Sequence, residues 1–222
     1  MYNIDTSSLG AYIGTMLALV SGGLKLDPLA FQAVFDYQGQ PTWLLVWLVF
    51  VAGLSLMVGQ SVVLFANRVR PARFVISLLL GASNFVINVV VIVLVIWAIA
   101  NFIGARPWYL PQIGRAIALA SAPYWLSFLV LIPYLGLIWE RLLKVYVFLA
   151  LLVAVQTIFD LTFFNALLGS LVALLLAQAI SSVLGHVLTP LTTRLTYALV
   201  GPEELSSTRD IYEMFARRNQ IG

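Results

Sequence analysis

From Phe74 to Phe102 the chain carries no charged residue. A bilayer core about 30 Å thick is crossed by about 20 mostly apolar helical residues, so a helix over this run is long enough to span with tilt. The remaining chain agrees. Of its 222 residues 62% are hydrophobic and 9% are charged, against roughly 25% charged in ordinary soluble domains. Polar surface that scarce cannot cover the molecule in water, so the excess apolar surface faces lipid. The expected fold class is all-α: a polytopic integral membrane helix bundle of about five transmembrane helices, preceded by an N-terminal interfacial or re-entrant helix.

The spans read along the chain as Thr42–Ala66, Phe74–Phe102, Arg115–Leu131, Leu142–Phe159 and Phe163–Leu188, the last ending before Pro190. Before them, Leu9–Val20 is apolar but short and stops at Gly22-Gly23, and Pro28–Tyr37 suits a short surface helix. The segment Gly104–Gly114, with Arg106, Pro107, Trp108, Tyr109 and Pro111, reads as a rigid interfacial loop. Three regions follow: 1–41 as an interfacial and surface segment, 42–188 as the membrane domain, and 189–222 as a polar tail. The start has no basic residue ahead of the first apolar stretch, unlike a secretory signal.

Basic residues orient such a chain, because cytoplasmic loops are enriched in Lys and Arg. Arg68, Arg70, Arg73, Arg141, Lys144, Arg194, Arg209, Arg217 and Arg218 fall on one side of a five-span layout, and Lys25, Arg106 and Arg115 on the other. Nine against three of the 12 basic residues puts the C-terminal tail in the cytoplasm. If residues 9–24 also cross, the N-terminus moves inside and the C-terminal side is unchanged. The expected location is a bacterial inner membrane, or a thylakoid in a photosynthetic source. Arg68, Arg70 and Arg73 also suit anionic lipid headgroups, at about 1 kcal/mol each.

Chemistry is constrained by what the chain lacks. There are no cysteines and one histidine, His186, which excludes disulfides, iron–sulfur clusters, thiol catalysis and multi-histidine metal sites. No phosphate-cradling glycine loop or dinucleotide fingerprint occurs, and a net charge of +3 lacks the basic stripe of a nucleic-acid binder. No catalytic residue, cofactor or metal ligand is assigned. Gly81-Ala82-Ser83 with His186 is too sparse for an intramembrane serine protease, since no third group orients either residue.

Two patterns remain. In the last span Asn165, Gly169, Ala173, Ala177, Ser181 and Gly185 recur every four residues and share one helix face, with a shorter version at Ser55 and Gly59. Small residues let helices approach closely in lipid. The face suits packing within the chain or an interface with another membrane protein or a second copy. The other pattern is polar: Gln60, Ser83, Asn84, Asn88, Asp160 and Gln178 lie inside or at the ends of spans. They suit either interhelical hydrogen bonds or the lining of a solute path. Glu140 and Lys144 have the i,i+4 order of a helix ion pair near a membrane boundary.

Ser121-Ala122-Pro123-Tyr124-Trp125, followed by Leu131-Ile132-Pro133-Tyr134-Leu135-Gly136, resembles the bacterial form of the Yip (Ypt-interacting protein) domain family over roughly residues 74–187. There an Ala-Pro step leads to a Pro-x-x-Gly break before the next helix. Eukaryotic members are five-span proteins that bind small GTPases and help to shape or sort vesicles. Their long polar N-terminal region and its acidic-proline motif have no counterpart here, so the resemblance implies a fold more than an activity.

The residues favour a non-catalytic role: a scaffold or accessory subunit of a membrane protein assembly, packing through small-residue faces. Its partners would be the bilayer and other membrane proteins, with no nucleic acid. The alternative is a small-solute or ion transporter or channel subunit, which requires the polar residues to converge on one cavity.

Overall fold

The computed structural model describes residues 2, 4–5, 7–37, 42–60, 71–103, 107–132 and 136–200, with side chains through Val183 except at 42, 60, 71–73, 77, 103 and 137. Every regular element among them is helical. We label these α1 (Leu9–Leu24), α2 (Pro28–Asp36), α3 (Thr42–Gln60), α4 (Pro71–Ile103), α5 (Leu110–Leu119), a 3-10 helix (Ala122–Leu131), α6 (Gly136–Phe159) and α7 (Phe163–Val200). Two compact units divide the chain, Met1–Ser181 and Ser182–Gly222. The described part of the second, residues 182–200, is helical throughout.

Four apolar stretches are long enough to cross a membrane: Phe74–Phe102, Leu110–Leu131, Ile138–Phe159 and Phe163–Val183. Leu9–Leu24 and Trp43–Gly59 are apolar but shorter. The span expected over Thr42–Ala66 is thus helical to Gln60, and its residues 61–66 lie outside the described ones. The long helices turn large apolar side chains outward, such as Val75 and Leu94 on α4, Val145 on α6 and Leu175 on α7. A monomer in water rarely exposes so much; in lipid these faces are solvated.

Local chemistry sets the helix ends. Ser8 caps α1 by accepting from the Ala11 N–H at 3.2 Å. At its other end Leu26 adopts φ 55°. The N–H of Asp27 reaches the Gly22 carbonyl and that of Leu26 the Gly23 carbonyl, the paired bonds of a Schellman stop. Asp27 then starts α2, its carboxylate accepting from the Leu29 N–H at 3.0 Å and from the Tyr2 hydroxyl at 2.8 Å. The C-terminus of α6 repeats the device: Asp160 has φ 49° and the Leu161 N–H bonds the Gln156 carbonyl. Asp is among the few non-glycine residues that enter this region readily.

Several expectations change. Gly22 and Gly23 do not end α1; they are where it packs, a Cβ at Gly23 meeting Ala122 Cβ at 2.8 Å and the Leu119 carbonyl at 3.1 Å. The helix α2 has two faces: Ala30, Phe31 and Val34 are fully buried, while Leu29, Gln32 and Asp36 are exposed. Its apolar face was visible, but nothing local says that a neighbour covers it. Residues 110–114, assigned to a loop, form the first turn of α5, with Pro111 inside the first turn where its missing N–H costs nothing. The last helix continues through Pro190 to Val200. A proline removes one i→i−4 bond, a loss that membrane helices tolerate.

The expected third span is a broken one. Its α-helical half ends at Leu119, where Pro123 supplies no N–H to continue the ladder, and ten residues of 3-10 helix follow. Such helices seldom exceed four residues. This one is held from outside: the Ser55 hydroxyl donates to the Trp125 carbonyl at 2.9 Å and accepts from the Phe128 N–H at 3.1 Å. Trp139 donates to the Leu126 carbonyl at 3.0 Å, and Trp125 itself donates to the Leu48 carbonyl of α3 at 3.1 Å. At about 2.0 Å rise per residue the 3-10 half is longer than an α-helix of the same count.

Candidate functional site

Helix α7 stands off from its neighbours. Between it and helices α4 and α6 lie two cavities of about 270 and 460 Å³. The smaller sits beside the break of the central span. Its walls carry Asn88 of α4, Ser121 and Tyr124 around the break, Lys144 of α6, and Gln178 and Ser181 of α7. The rest is apolar, including Phe85, whose ring meets Tyr124 edge-on at 5.2 Å. Asn88 and Ser121 lie near the middle of the stretches Phe74–Phe102 and Leu110–Leu131, whereas Lys144 lies toward the start of Ile138–Phe159 and Gln178 and Ser181 toward the end of Phe163–Val183.

Each polar group is partly engaged. The Asn88 amide donates to the Asn84 carbonyl one turn back at 2.9 Å, and the Ser121 hydroxyl to the Ala118 carbonyl at 2.7 Å. Lys144 bonds Glu140 at 2.7 Å. An exposed i,i+4 pair of this kind contributes at most about 0.5 kcal/mol, so it orients the ammonium more than it stabilises the fold. An ammonium has three donors, which leaves two N–H groups of Lys144 beyond this bond. No carboxylate is among the groups lining the cavity.

The larger cavity is almost wholly apolar. Ile96, Ile99 and Ala100 of α4, Val155 and Phe159 of α6, and Gly169 and Ala173 of α7 line it, with Trp108 and Asn165 at the far end. Trp108 is fixed there by ring contacts with Phe159 at 4.7 Å and Phe35 at 6.2 Å, while Asn101 accepts from its backbone N–H at 3.0 Å.

The small-residue face of α7 therefore points inward. Asn165, Gly169 and Ala173 line one cavity and Ala177 and Ser181 the other. No neighbouring atom comes within 4 Å of a Cβ built on Gly169. Gly185 lies in the second unit, beyond the described side chains. Ser55 and Gly59 meet the 3-10 helix of the same chain, Gly59 against the Ser127 backbone.

The polar set divides. Asn88 and Gln178 share the smaller cavity. Ser83 is exposed and donates to the Leu79 carbonyl of its own helix at 2.8 Å, and Asn84 is exposed on α4. Such back-bonding replaces the interhelical bonds expected of Ser83, and Asn88 donates within its own helix in the same way. Asp160 is exposed at the helix stop. The side chains of Gln60, Arg73 and His186 and the residues Arg68 and Arg70 lie outside the described ones. Sequence reasoning met Ser121 and Tyr124 only within the proline motif and Lys144 only as the ion-pair partner of Glu140, and assigned none of the three to a polar cluster. No ion-holding group of three or more acidic, histidine or cysteine residues occurs among the described residues.

No known protein family, curated protein or solved structure matches this chain.

Proposed function

We propose that the chain is a multi-pass membrane protein that holds a small ligand between α4, the broken helix, α6 and α7, in the manner of a transporter or channel subunit. One observation carries this: hydrogen-bonding side chains from all four converge beside the break. Polar residues at the centre of a membrane helix are costly and tend to mark ligand paths, and interrupted helices tend to build binding sites at the midplane. A mostly apolar pocket with a few convergent polar groups is the usual form of a small-molecule site. Five spans and a cytoplasmic C-terminus, in a bacterial inner or thylakoid membrane, complete the proposal on the basic-residue count. Yip-type membership rests on the two proline motifs.

The open space over Gly169 favours a second reading, the scaffold, in which a partner helix enters the gap. The polar groups that meet at the smaller cavity favour the ligand, since an apolar partner helix would leave them facing apolar side chains.

The test is a thermal-shift screen of small solutes on the detergent-purified chain. A solute at 100 times its Kd adds about 2.7 kcal/mol. We expect a stabilising solute whose effect disappears in the Asn88→Leu/Gln178→Leu double variant. Shifts that survive that variant unchanged would overturn the reading. Native mass spectrometry after gentle extraction tests the scaffold, which requires a co-purifying chain.

A further inference from the structure

We infer that the ligand is a single-chain amphiphile, its acidic head in the polar cavity and its alkyl tail in the apolar one. This rests on the cavity reading above and specifies what fills it.

The two cavities abut. Ile92 and Ile96 of α4, Leu151 and Val155 of α6, and Ala177 and Ala173 of α7 each contribute one residue to the first cavity and one to the second. Each pair is four residues apart, about one helical turn. On three walls at once, then, the polar chamber gives way to the apolar one within about 6 Å. From Ser181 to Asn165 the α7 wall is about 24 Å long at 1.5 Å per residue. It is bare, because its inner face presents Ala177, Ala173 and Gly169 and no neighbour fills the space over Gly169. A slot that is polar at one end and apolar at the other matches an extended alkyl chain.

The head end selects charge. It offers the Gln178 amide, the hydroxyls of Tyr124 and Ser181, and Lys144, whose ammonium keeps two N–H groups beyond its bond to Glu140. Donors in excess of that one carboxylate favour an acceptor-rich head, a carboxylate or a phosphate.

The probe is hexadecanoic acid spin-labelled at mid-chain, added to the full chain in nanodiscs of zwitterionic lipid. An immobilised spectral component is expected. Unlabelled hexadecanoate should displace it about tenfold better than butanoate or hexadecylamine. Gly169→Phe, introduced where there is room, should reduce the component at least tenfold, while Gly169→Ala leaves it within twofold. Lys144→Met should weaken it about tenfold. If butanoate competes as well as hexadecanoate and Gly169→Phe is silent, the tail assignment is overturned and the polar cavity stands. If Gly169→Phe removes the component while Lys144→Met combined with Gln178→Leu does not, ordinary lipid fills an apolar gap and the head assignment fails. Absence of the component in the wild-type chain sinks the inference alone, since the solute screen judges the cavity separately. Hexadecyl phosphate displacing the probe tenfold better than hexadecanoate would identify the head as phosphate.

Discussion

The guanidinium of Arg115 donates to the backbone carbonyl of Tyr37 at 2.7 Å, across 78 positions of sequence. A second N–H reaches the Phe35 carbonyl at 3.3 Å. These carbonyls belong to the C-terminal end of α2, where the last turn has no partners within its own helix. A buried cation here does the work of a C-cap and holds α2 against the central span.

Arg115→Met should therefore destabilise the protein by about 1.5–3 kcal/mol, the range for hydrogen bonds to a charged group. Lysine restores the charge but lacks the planar fork, so Arg115→Lys should recover less than half. Unfolding in mild detergent, followed by circular dichroism, measures both. Wild-type stability in Arg115→Met would contradict the capping role.

Ser55 makes a comparable prediction. Its hydroxyl bridges the Trp125 carbonyl and the Phe128 N–H, the donor–acceptor pair that a 3-10 turn would otherwise close itself. Ser55→Ala should cost about 1–3 kcal/mol. Gly59→Ala, which drives a methyl into the Ser127 backbone, should cost about 1–3 kcal/mol through overpacking. Thermal melts of both variants check this, and an unchanged Gly59→Ala would mean that α3 and the 3-10 helix are not in close contact.

Glycines on α1 and α7 should respond with opposite sign. Gly169→Ala meets open space and gains helix propensity, so it should stabilise by up to about 1 kcal/mol. Gly23→Ala meets Ala122 and the Leu119 carbonyl and should destabilise. Comparing denaturation midpoints of the two variants is sufficient, and a stabilising Gly23→Ala would place α1 farther from the central span.

Tyr2 offers a pH test. Burial, then the hydrogen bond to Asp27 and its negative charge, push the Tyr2 hydroxyl above its ordinary value of 10.0. A raised folded-state pKa means that this stabilisation is complete below pH 10 and is lost as pH rises through the higher folded value. The tyrosinate absorbance of wild type minus Tyr2→Phe should titrate above pH 10.0. A midpoint at or below 10.0 would break the Tyr2–Asp27 contact as drawn.

What the sequence determined is what depends on neighbours along the chain. Uncharged length makes Phe74–Phe102 a helix long and apolar enough to cross a membrane, because the backbone cannot go unbonded in an apolar medium. Ser8 and Asp27 mark helix starts through bonds to residues two or three positions away. Pro123 announces a break, and the four-residue spacing from Asn165 to Ser181 announces one common face. Asn88 and Gln178 stood out as polar groups in apolar runs.

Tertiary structure decided what each face meets. Arg115 counts as a loop charge until α2 brings it two carbonyls, and Lys144 as a boundary charge until α7 closes a wall opposite it. The α7 stripe was equally consistent with a partner helix and with the chain's own interior. Periodicity says which residues share a side of a helix; it carries no information on how far away the next helix lies. That distance depends on side-chain volumes summed over several elements, and here it leaves a slot where the stripe alone suggested contact.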